Sequence, residues 1–377
     1  MRDPAEEARL SDQLRTFGVT AERDGAPLYA RLCQELATDA EVLGLLGGAP
    51  PLQRRPNLLL AAVHYLLLAG EDDPLADDYP TVVEWRSPGG DARRAEGDPA
   101  DRFRSFCARH RERLAELLAT RATQTNEVGR CAALLPALAT VASRSDRPLA
   151  LVDLGASAGL ALLFDRYAYT YHLPAGRKRG AGDPGSTVRL VAEVREGRLP
   201  DLSLPPVTHR AGIDRDPADP GDADRSLWLL ACQWPDHLGR FGRLRDALAL
   251  ARATPGRPRV EAGDMVNDLA AAARRAPADS RLCLTHSWAA AYLPPVRQKE
   301  LAEAVTAVAR DRPVSWVFAE QPYEVPGLEV PPSPGGRADG AATALVLVEL
   351  ADGRRRCARL ADVHHHGRWI RWWGWPD

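Results

Sequence analysis

Lysine is almost absent from this sequence: only Lys178 and Lys299 occur, so arginine carries nearly all of the positive charge. An excess of charge of either sign is missing as well. The 49 basic residues nearly balance the 51 acidic residues, which gives a formal net charge of −2 at pH 7. Because no overall positive field is available to attract a phosphate backbone, we do not expect a dedicated nucleic-acid-binding protein.

Long hydrophobic runs and patterned cysteines are also missing. The most apolar stretch, residues 58–69, is shorter than the ~20 residues that a membrane-spanning helix needs. The charged first residues contain no apolar segment of the secretory type. The six cysteines show no CxxC spacing, which favours reduced, buried thiols over a zinc site or a disulfide framework. We therefore expect a cytoplasmic protein without a membrane partner.

Three adjacent histidines, His364, His365 and His366, raise the question of a metal site. Consecutive side chains on a strand point to opposite faces, so only the first and third could converge, and the sequence places no further ligand nearby. We expect no bound metal. Four tryptophans close to this run are expected to form a packing patch or the interface of a homo-oligomer: Trp369, Trp372, Trp373 and Trp375.

The pattern of apolar residues changes near residue 146 of the 377-residue chain. Up to about residue 145, apolar residues recur at three-and-four spacing, which predicts helices. From Pro148 onward, short apolar runs alternate with helix-like segments, a pattern typical of a parallel sheet covered by helices on both faces. We therefore predict a helical N-terminal domain, residues 1–145, followed by an α/β domain, residues 146–377.

The α/β domain contains several candidate buried strands, at residues 149–154, 207–213, 259–262, 282–285 and 314–319. Residues 342–349 and 356–363, separated by the turn signal Asp352-Gly353, predict a hairpin that closes one edge of the sheet. Residues 174–206 form an insertion with an extra strand at 188–194. Its irregular first half is interpreted as a solvated loop or as a lid over a site.

Open parallel sheets bind ligands at the carboxyl ends of their strands, so the residues that follow the predicted strands should lie together. Glycine lets the backbone approach a ligand, and carboxylates accept hydrogen bonds from hydroxyl or amino groups. Carboxylates without a balancing cation suit a neutral or cationic nucleoside with a free ribose better than a phosphate. The residues concerned are Asp153, Gly155, Ala156, Ser157, Gly159, Asp214, Asp264, Met265, His286 and Glu320.

The segment 152–159, with Asp214 and Asp264-Met265, resembles the class I S-adenosylmethionine-dependent methyltransferases. In that family an acidic residue and a glycine-rich turn end strand one, a second acidic residue binds the ribose hydroxyls, and an aspartate after strand three reaches the adenine amine. The resemblance implies a Rossmann-like methyltransferase sheet with a terminal antiparallel hairpin and S-adenosylmethionine as cofactor. Two departures are Ser157, in place of the middle glycine, and the long separation of Asp153 from Asp214. A dinucleotide GxGxxG fingerprint and a P-loop are both absent.

More narrowly, the chain resembles a bacterial family known only as a domain of unknown function. The resemblance rests on residues 155–160, on Asp165-Arg166-Tyr167 and on residues 125–130, and it spans most of the chain. The resemblance implies a fold but does not indicate which reaction, if any, the protein catalyses.

Methyl transfer from a sulfonium is an in-line displacement that needs alignment and, for an oxygen or nitrogen acceptor, removal of a proton. His286 and Glu320 follow the fourth and fifth predicted strands and are the predicted catalytic residues. The alternatives are a structural histidine and a surface carboxylate.

A second group of residues is predicted to contact the substrate or close over the ligand: Asn126, Glu127, Arg130 and Tyr167. The first three could equally form a helix cap with an exposed ion pair, and the tyrosine could pack in the core.

Together these residues predict an S-adenosylmethionine-dependent transferase that methylates a small molecule at oxygen or nitrogen. One alternative is a non-catalytic binding or scaffold protein on the same fold. Another is an enzyme that uses the cofactor for cyclisation or aminocarboxypropyl transfer. Retention of the cofactor would separate the first alternative, and the mass of the product would separate the second.

Overall fold

The computed structural model describes residues 4–89, 97–336 and 342–376. Its α-helices are α1 (Pro4–Arg23), α2 (Pro27–Glu35), α3 (Ala40–Gly47), α4 (Pro56–Leu68), α5 (Pro80–Arg86), α6 (Pro99–Arg109), α7 (Arg111–Thr120), α8 (Cys131–Ala142), α9 (Ala223–Ala231), α10 (Leu238–Ala253), α11 (Leu269–Arg275) and α12 (Pro295–Val308). Its strands are β1 (Leu149–Leu154), β2 (Ala168–His172), β3 (Lys178–Gly182), β4 (Arg189–Glu196), β5 (Val207–Asp214), β6 (Arg259–Ala262), β7 (Arg281–Ser287), β8 (Val314–Glu320), β9 (Ala342–Ala351), β10 (Arg354–His364) and β11 (Trp369–Trp372).

These elements form two compact units. The first unit joins Met1–Thr125 to the distant segment Gly221–Arg245, and it is helical. Proline opens α2, α4, α5 and α6, where its fixed φ favours the helix and its missing N–H is not needed. Asp39, Asp98 and Asp222 accept hydrogen bonds from the first backbone N–H groups of α3, α6 and α9, which stabilises these helix starts.

Helix α4 supplies much of the core of the first unit, and nearly all of its residues are buried. Its His64 lies between α5 and α9: Nδ1 is 3.0 Å from the carbonyl oxygen of Ala231, and Nε2 is 2.8 Å from Oγ1 of Thr81. Burial lowers the pKa of His64 to about 4, so the ring is neutral and is satisfied by these two partners. Segment 221–245 is therefore an integral part of this unit.

The second unit comprises Asn126–Pro220 and Asp246–Asp377 and contains a sheet of eleven described strands. Strands β6, β5, β1, β7 and β8 are adjacent and parallel in that order. Strand β1 is thus flanked by β5 on one side and by β7 on the other. In an open parallel sheet this reversal of strand order marks the place where a crevice opens at the carboxyl ends.

Side chains alternate between the two faces of the parallel strands. Ala150, Val152 and Leu154 of β1 belong to one buried cluster with residues of α11 and α12. Asp153 points to the opposite face, because neighbouring residues of a strand face opposite ways. The prediction of an α/β fold with a large, mostly parallel sheet and helices is confirmed, and β1 and β6 begin and end at the predicted residues.

The prediction that a hairpin closes one edge of the sheet is wrong. Hairpin β9–β10 does form next to β8, but β11, β4, β2 and β3 extend the sheet beyond it. Burial alternates along β4, which confirms the extra strand predicted within the insertion. In the irregular first half of the insertion, residues Lys178–Gly182 form β3, which pairs with β2 at the edge of the sheet, so this stretch is a strand and not a solvated loop. The alternative of a lid over a site stays a prediction.

The structure also differs from the predicted division of the chain at residue 145. Helix α8 contacts β4, β8 and β9 of the sheet, so residues 126–145 belong to the second unit. Conversely, α9 and the first part of α10 belong to the first unit. Both assignments depend on contacts between residues far apart in the chain, which apolar spacing does not report.

Candidate functional site

The turn after β1 is held against the end of β5. The backbone N–H groups of Gly155 and Ala156 both donate to the carbonyl oxygen of Ile213, at 2.8 and 3.1 Å. Gly155 and Gly159 have φ of +76° and +69°, and Ser157, in place of the usual glycine, has φ of +51°. The left-handed backbone therefore explains why this turn is rich in glycine.

Protein atoms lie directly against the first glycine of the turn. A Cβ placed on Gly155 would be 2.5 Å from Cβ of Ala289 and 3.4 Å from Cε of Met265. The structure thus brings the predicted Met265 to the turn. It also adds Ala289, from the loop after β7, which the sequence did not single out because alanine carries no chemical signal.

Asp153 is buried beside this turn on the face opposite α11 and α12. Its Oδ1 accepts a hydrogen bond of 2.7 Å from Oγ1 of Thr285, its register partner on β7. Oδ2 accepts no hydrogen bond from any described residue. Burial is the main cause that raises the pKa of Asp153 to about 6, against the lowering effect of the Thr285 hydroxyl. Sequence reasoning missed Thr285, although its place beside Asp153 follows from the pairing of β1 with β7.

Asp214 ends β5 and stabilises the glycine turn. Its Oδ2 accepts a hydrogen bond of 2.7 Å from the N–H of Ser157, and its Oδ1 accepts one of 2.9 Å from the N–H of Asp216. Each carboxylate oxygen has a second lone pair. The structure therefore places Asp214 at the turn in spite of its long sequence separation from Asp153.

Asp264 follows β6 and is the acceptor of four hydrogen bonds. Oδ1 accepts from the N–H groups of Val266 and Asn267 and from Arg297, and Oδ2 accepts from Arg215 at 3.0 Å. Burial alone would raise its pKa, but these hydrogen bonds lower it. Neither arginine was predicted at the site. The Arg215 side chain is 66% exposed, so it is the more easily displaced of the two.

His286 and Glu320 form a buried pair. Nδ1 of His286 lies 2.8 Å from Oε1 of Glu320, and both side chains are 0% exposed. The same carboxylate oxygen accepts hydrogen bonds from the N–H groups of Ala289 and Ala290, at 2.9 and 3.0 Å. The His286 ring stacks on Phe318 with their centroids 5.2 Å apart. The alternative of a surface carboxylate at position 320 is wrong, and the predicted role of this pair as catalytic base stays a prediction.

Trp288, directly after β7, was not predicted as a site residue and has φ of +55°, which is unusual for a bulky side chain. Its Nε1 donates to Oγ1 of Thr343 at 3.1 Å, and the guanidinium of Arg130 lies 5.7 Å from the centre of its ring. Neither the periodicity of the sequence nor any motif in it predicts a positive φ at such a residue.

The segment before α8 braces the end of β7. Arg130 donates to the carbonyl oxygens of Ser287 and His365, at 3.1 and 2.9 Å. Oε1 of the buried Glu127 accepts from the N–H of Gly129 at 3.0 Å. Asn126 is half-buried, and its Nδ2 has no hydrogen-bond partner among the described residues. Their predicted contact with a ligand stays a prediction.

Tyr167 lies in the core. It is fully buried, and its hydroxyl donates to the carbonyl oxygen of Leu160 at 2.6 Å. The next two tyrosines, Tyr169 and Tyr171, belong to β2 and stack with their ring planes 2° apart. Two-residue spacing therefore reflects packing on one strand face here.

Within residues 4–89, 97–336 and 342–376, no group of three or more histidine, cysteine, aspartate or glutamate side chains could hold a metal ion. The same part of the chain contains no helix long and apolar enough to span a bilayer.

Comparison with known families matches residues 11–372 to the family described as "Uncharacterized protein conserved in bacteria (DUF2332)". The chain belongs to this family. The predicted membership of a bacterial family of unknown function is thereby confirmed, and the DUF2332 match includes residues of both compact units. No curated protein matches the chain significantly.

Proposed function

We propose that this member of DUF2332 is an S-adenosylmethionine-dependent transferase with a Rossmann-like methyltransferase fold, acting on oxygen or nitrogen of a small molecule. The observation that carries the proposal is the buried carboxylate of Asp153 beside a left-handed glycine turn, at the point where the strand order reverses. Buried carboxylates are normally paired, and this one has a single hydroxyl donor.

Asp153 and Asp214 fit the two polar ends of such a ligand. A ligand ammonium at Oδ2 of Asp153 would stabilise the ionised form and so favour binding. The free lone pairs of Asp214 suit the two vicinal hydroxyls of a ribose.

Asp264 fits less well. With four hydrogen bonds already accepted, it offers little capacity for an adenine amine unless Arg215 moves away. Adenine recognition by Asp264 therefore remains a separate prediction, and the proposal does not depend on it.

The bound cofactor would supply an electrophilic methyl group on a sulfonium. The protein's part is to bind it, exclude water and align the acceptor, because in-line displacement depends mainly on geometry. The two strand ends that carry Asp153 and Asp214 are joined by the hydrogen bonds of the glycine turn, so they hold one fixed spacing. No protein base is assigned, since the His286–Glu320 pair is enclosed.

The second candidate is a binding protein that retains the nucleoside without turnover. The burial of His286 and Glu320 favours it, because these were the predicted catalytic groups. Incubation with S-adenosylmethionine and candidate acceptor molecules would separate the two functions, since only the enzyme converts S-adenosylmethionine to S-adenosylhomocysteine.

Calorimetric titration with S-adenosylmethionine and S-adenosylhomocysteine tests the proposal. We expect binding to weaken about tenfold or more in Asp153→Asn and in Asp214→Asn, because each loses a charge-assisted hydrogen bond. Affinity should also fall below pH 6, where Asp153 is protonated and no longer attracts an ammonium.

The matched control is Glu349→Gln. Glu349 is a largely buried carboxylate at the amino end of the parallel strands, where it accepts from Ser315 at 3.0 Å and pairs with Arg281. The Glu349→Gln substitution should leave the affinity for the nucleoside unchanged. Equal affinity in the wild type, Asp153→Asn and Asp214→Asn, or no binding to the wild type at all, would overturn the proposed function.

A further inference from the structure

The loop after β7 is attached to the neighbouring strands β8 and β9 by several hydrogen bonds, and one oxygen atom of Glu320 takes part in three contacts with this part of the chain. Oε1 of Glu320 accepts hydrogen bonds from the backbone of Ala289 and Ala290 and lies 2.8 Å from Nδ1 of His286. Since a carboxylate oxygen accepts hydrogen bonds, Nδ1 is assigned as the donor in this contact. Three donors from one short stretch of chain thus converge on a single acceptor.

The left-handed backbone of Trp288 makes this convergence possible. Its φ of +55° turns the chain so that two successive N–H groups point to the same oxygen, an arrangement that binds anions. A positive φ at a bulky residue costs energy and persists only where surrounding contacts enforce it. Glu320 provides the acceptor oxygen, and Thr343 and Arg130 contact the indole.

The attached loop reaches the glycine turn. Ala289, whose N–H binds Glu320, is the residue whose Cβ lies 2.5 Å from the place that a Cβ on Gly155 would occupy. The connection therefore runs from Glu320 on β8, through the backbone of Ala289, to the turn that follows Asp153.

We propose that Glu320, with His286 as its partner, is a positioning residue that holds the loop after β7 against the glycine turn. This role requires no contact between the pair and a substrate. Both side chains are 0% exposed, and Nε2 of His286 is buried without a hydrogen-bond partner among the described residues. Phe318 and Trp316 pack against the ring, at centroid distances of 5.2 and 5.7 Å.

Hydrogen–deuterium exchange on the full chain tests this role directly. In Glu320→Met the two N–H groups lose their acceptor, so exchange of the peptide covering 287–293 should rise about tenfold or more. The peptide covering 155–159 should also lose protection, while hairpin β9–β10 keeps it. Glu320→Gln retains an amide oxygen at the same place and should restore both peptides towards the wild type.

Two further variants keep the test decisive. His286→Phe removes one donor while preserving the stacked ring, so it should raise exchange of 287–293 less than Glu320→Met. If Glu320→Met fails to fold, the comparison of His286→Phe with Glu320→Gln carries the test. Glu349→Gln, at the other end of the strands, should leave both peptides unchanged.

The consequence for ligand affinity rests on the proposed function, and the two can fail separately. We expect Glu320→Met to weaken S-adenosylhomocysteine binding about tenfold or more and Glu320→Gln to retain it. A wild type that binds no nucleoside would refute the proposed function, whereas the exchange data would still decide the positioning role. Unchanged exchange at 287–293, an equal rise in all peptides, or an unaltered 155–159 peptide would overturn the positioning role.

Discussion

The buried carboxyl group of Asp153 should make the stability of the protein depend on pH. Its pKa is raised from the ordinary 3.8 to about 6, chiefly by burial, so the folded protein binds this proton more tightly than the unfolded chain does. The free energy of unfolding should therefore fall as the pH rises from about 4 to about 6, and the ionised carboxylate should be destabilising above that range.

Asp153→Asn should remove this dependence and stabilise the protein at neutral pH. The amide oxygen can still accept from Thr285, and no charge is buried. A stabilisation of roughly 3 kcal/mol is expected, because one pKa unit corresponds to about 1.4 kcal/mol. Urea unfolding at pH 5 and pH 7.5 measures it. Equal pH dependence in both proteins would mean that Asp153 titrates normally.

Ser157 occupies a left-handed position at which glycine is the less strained residue. With φ of +51°, Ser157→Val should destabilise the protein by about 1–3 kcal/mol, since a β-branched side chain tolerates this region poorly. Ser157→Gly should be neutral within about 1 kcal/mol, because lower strain and greater unfolded-state freedom oppose each other. Thermal unfolding of the two variants checks the difference, and equal melting temperatures would contradict it.

Among the elements, the contact of β4 with β11 joins the outer strands to the rest of the sheet. Strands β3 and β2 are connected to β10 only through β4 and β11 within the described sheet order. Gly197, directly after β4, has φ of +80°, and a Cβ there would be 1.8 Å from the carbonyl oxygen of Trp372. A side chain at this position must push β4 away from β11.

Gly197→Ala should loosen the outer strands selectively. Hydrogen exchange of β2, β3 and β4 should increase, while β1 and β7 keep their protection. Gly176→Ala is the matched control: Gly176 has φ of +72° in the same insertion, but nothing lies within 4 Å of its added Cβ. In the control variant, the free energy of unfolding should fall by only about 1 kcal/mol, which is what a positive φ costs an alanine. Similar exchange in the two variants would argue against the steric explanation.

The strands that sequence predicted well are those with strong local signals. β1 and β6 are short runs that each follow a proline and end before a glycine, so their limits are visible in the sequence. β2, β3 and β11 were not among the predicted strands. The two-residue spacing of Tyr169 and Tyr171 indicates packing on one strand face, but it does not give the limits of a strand. At the site, the residue types after each strand were predictable. Three features of the site could not be predicted: the positive φ of Trp288, the contact of Ala289 with the glycine turn, and the hydrogen bonds from two arginines to Asp264. Each depends on contacts that only the fold creates.

At the scale of the whole molecule, the first unit is discontinuous. The chain leaves it after Thr125 and returns at Gly221. The returning segment supplies Ala231 to His64, and Trp228 donates from its Nε1 to the carbonyl oxygen of Ala122 at 2.8 Å. Phe17 and Trp234 also pack edge to face, with centroids 5.3 Å apart.

A fragment of residues 1–125 should therefore not fold cooperatively. Without segment 221–245, the buried faces of α4 lose α9, and His64 loses one of its two partners. Circular dichroism during heating should show no sharp transition. The same fragment joined to residues 221–245 through a flexible glycine–serine linker should regain one. A sharp transition in the shorter fragment would show that the segment is dispensable.

The discontinuity of the first unit also governs how the chain matures during synthesis. Ribosomes add about 5–20 residues per second, so segment 221–245 follows Thr125 by roughly ten seconds. Throughout that interval the largely apolar helix α4 is available to wrong partners, including other nascent chains. The sheet must wait as well, because β6 to β11 are made later still. The first unit has all of its residues once Arg245 has been added, whereas the sheet is complete only after β11, so folding yield should depend on elongation rate and on chaperones that shield the first 125 residues.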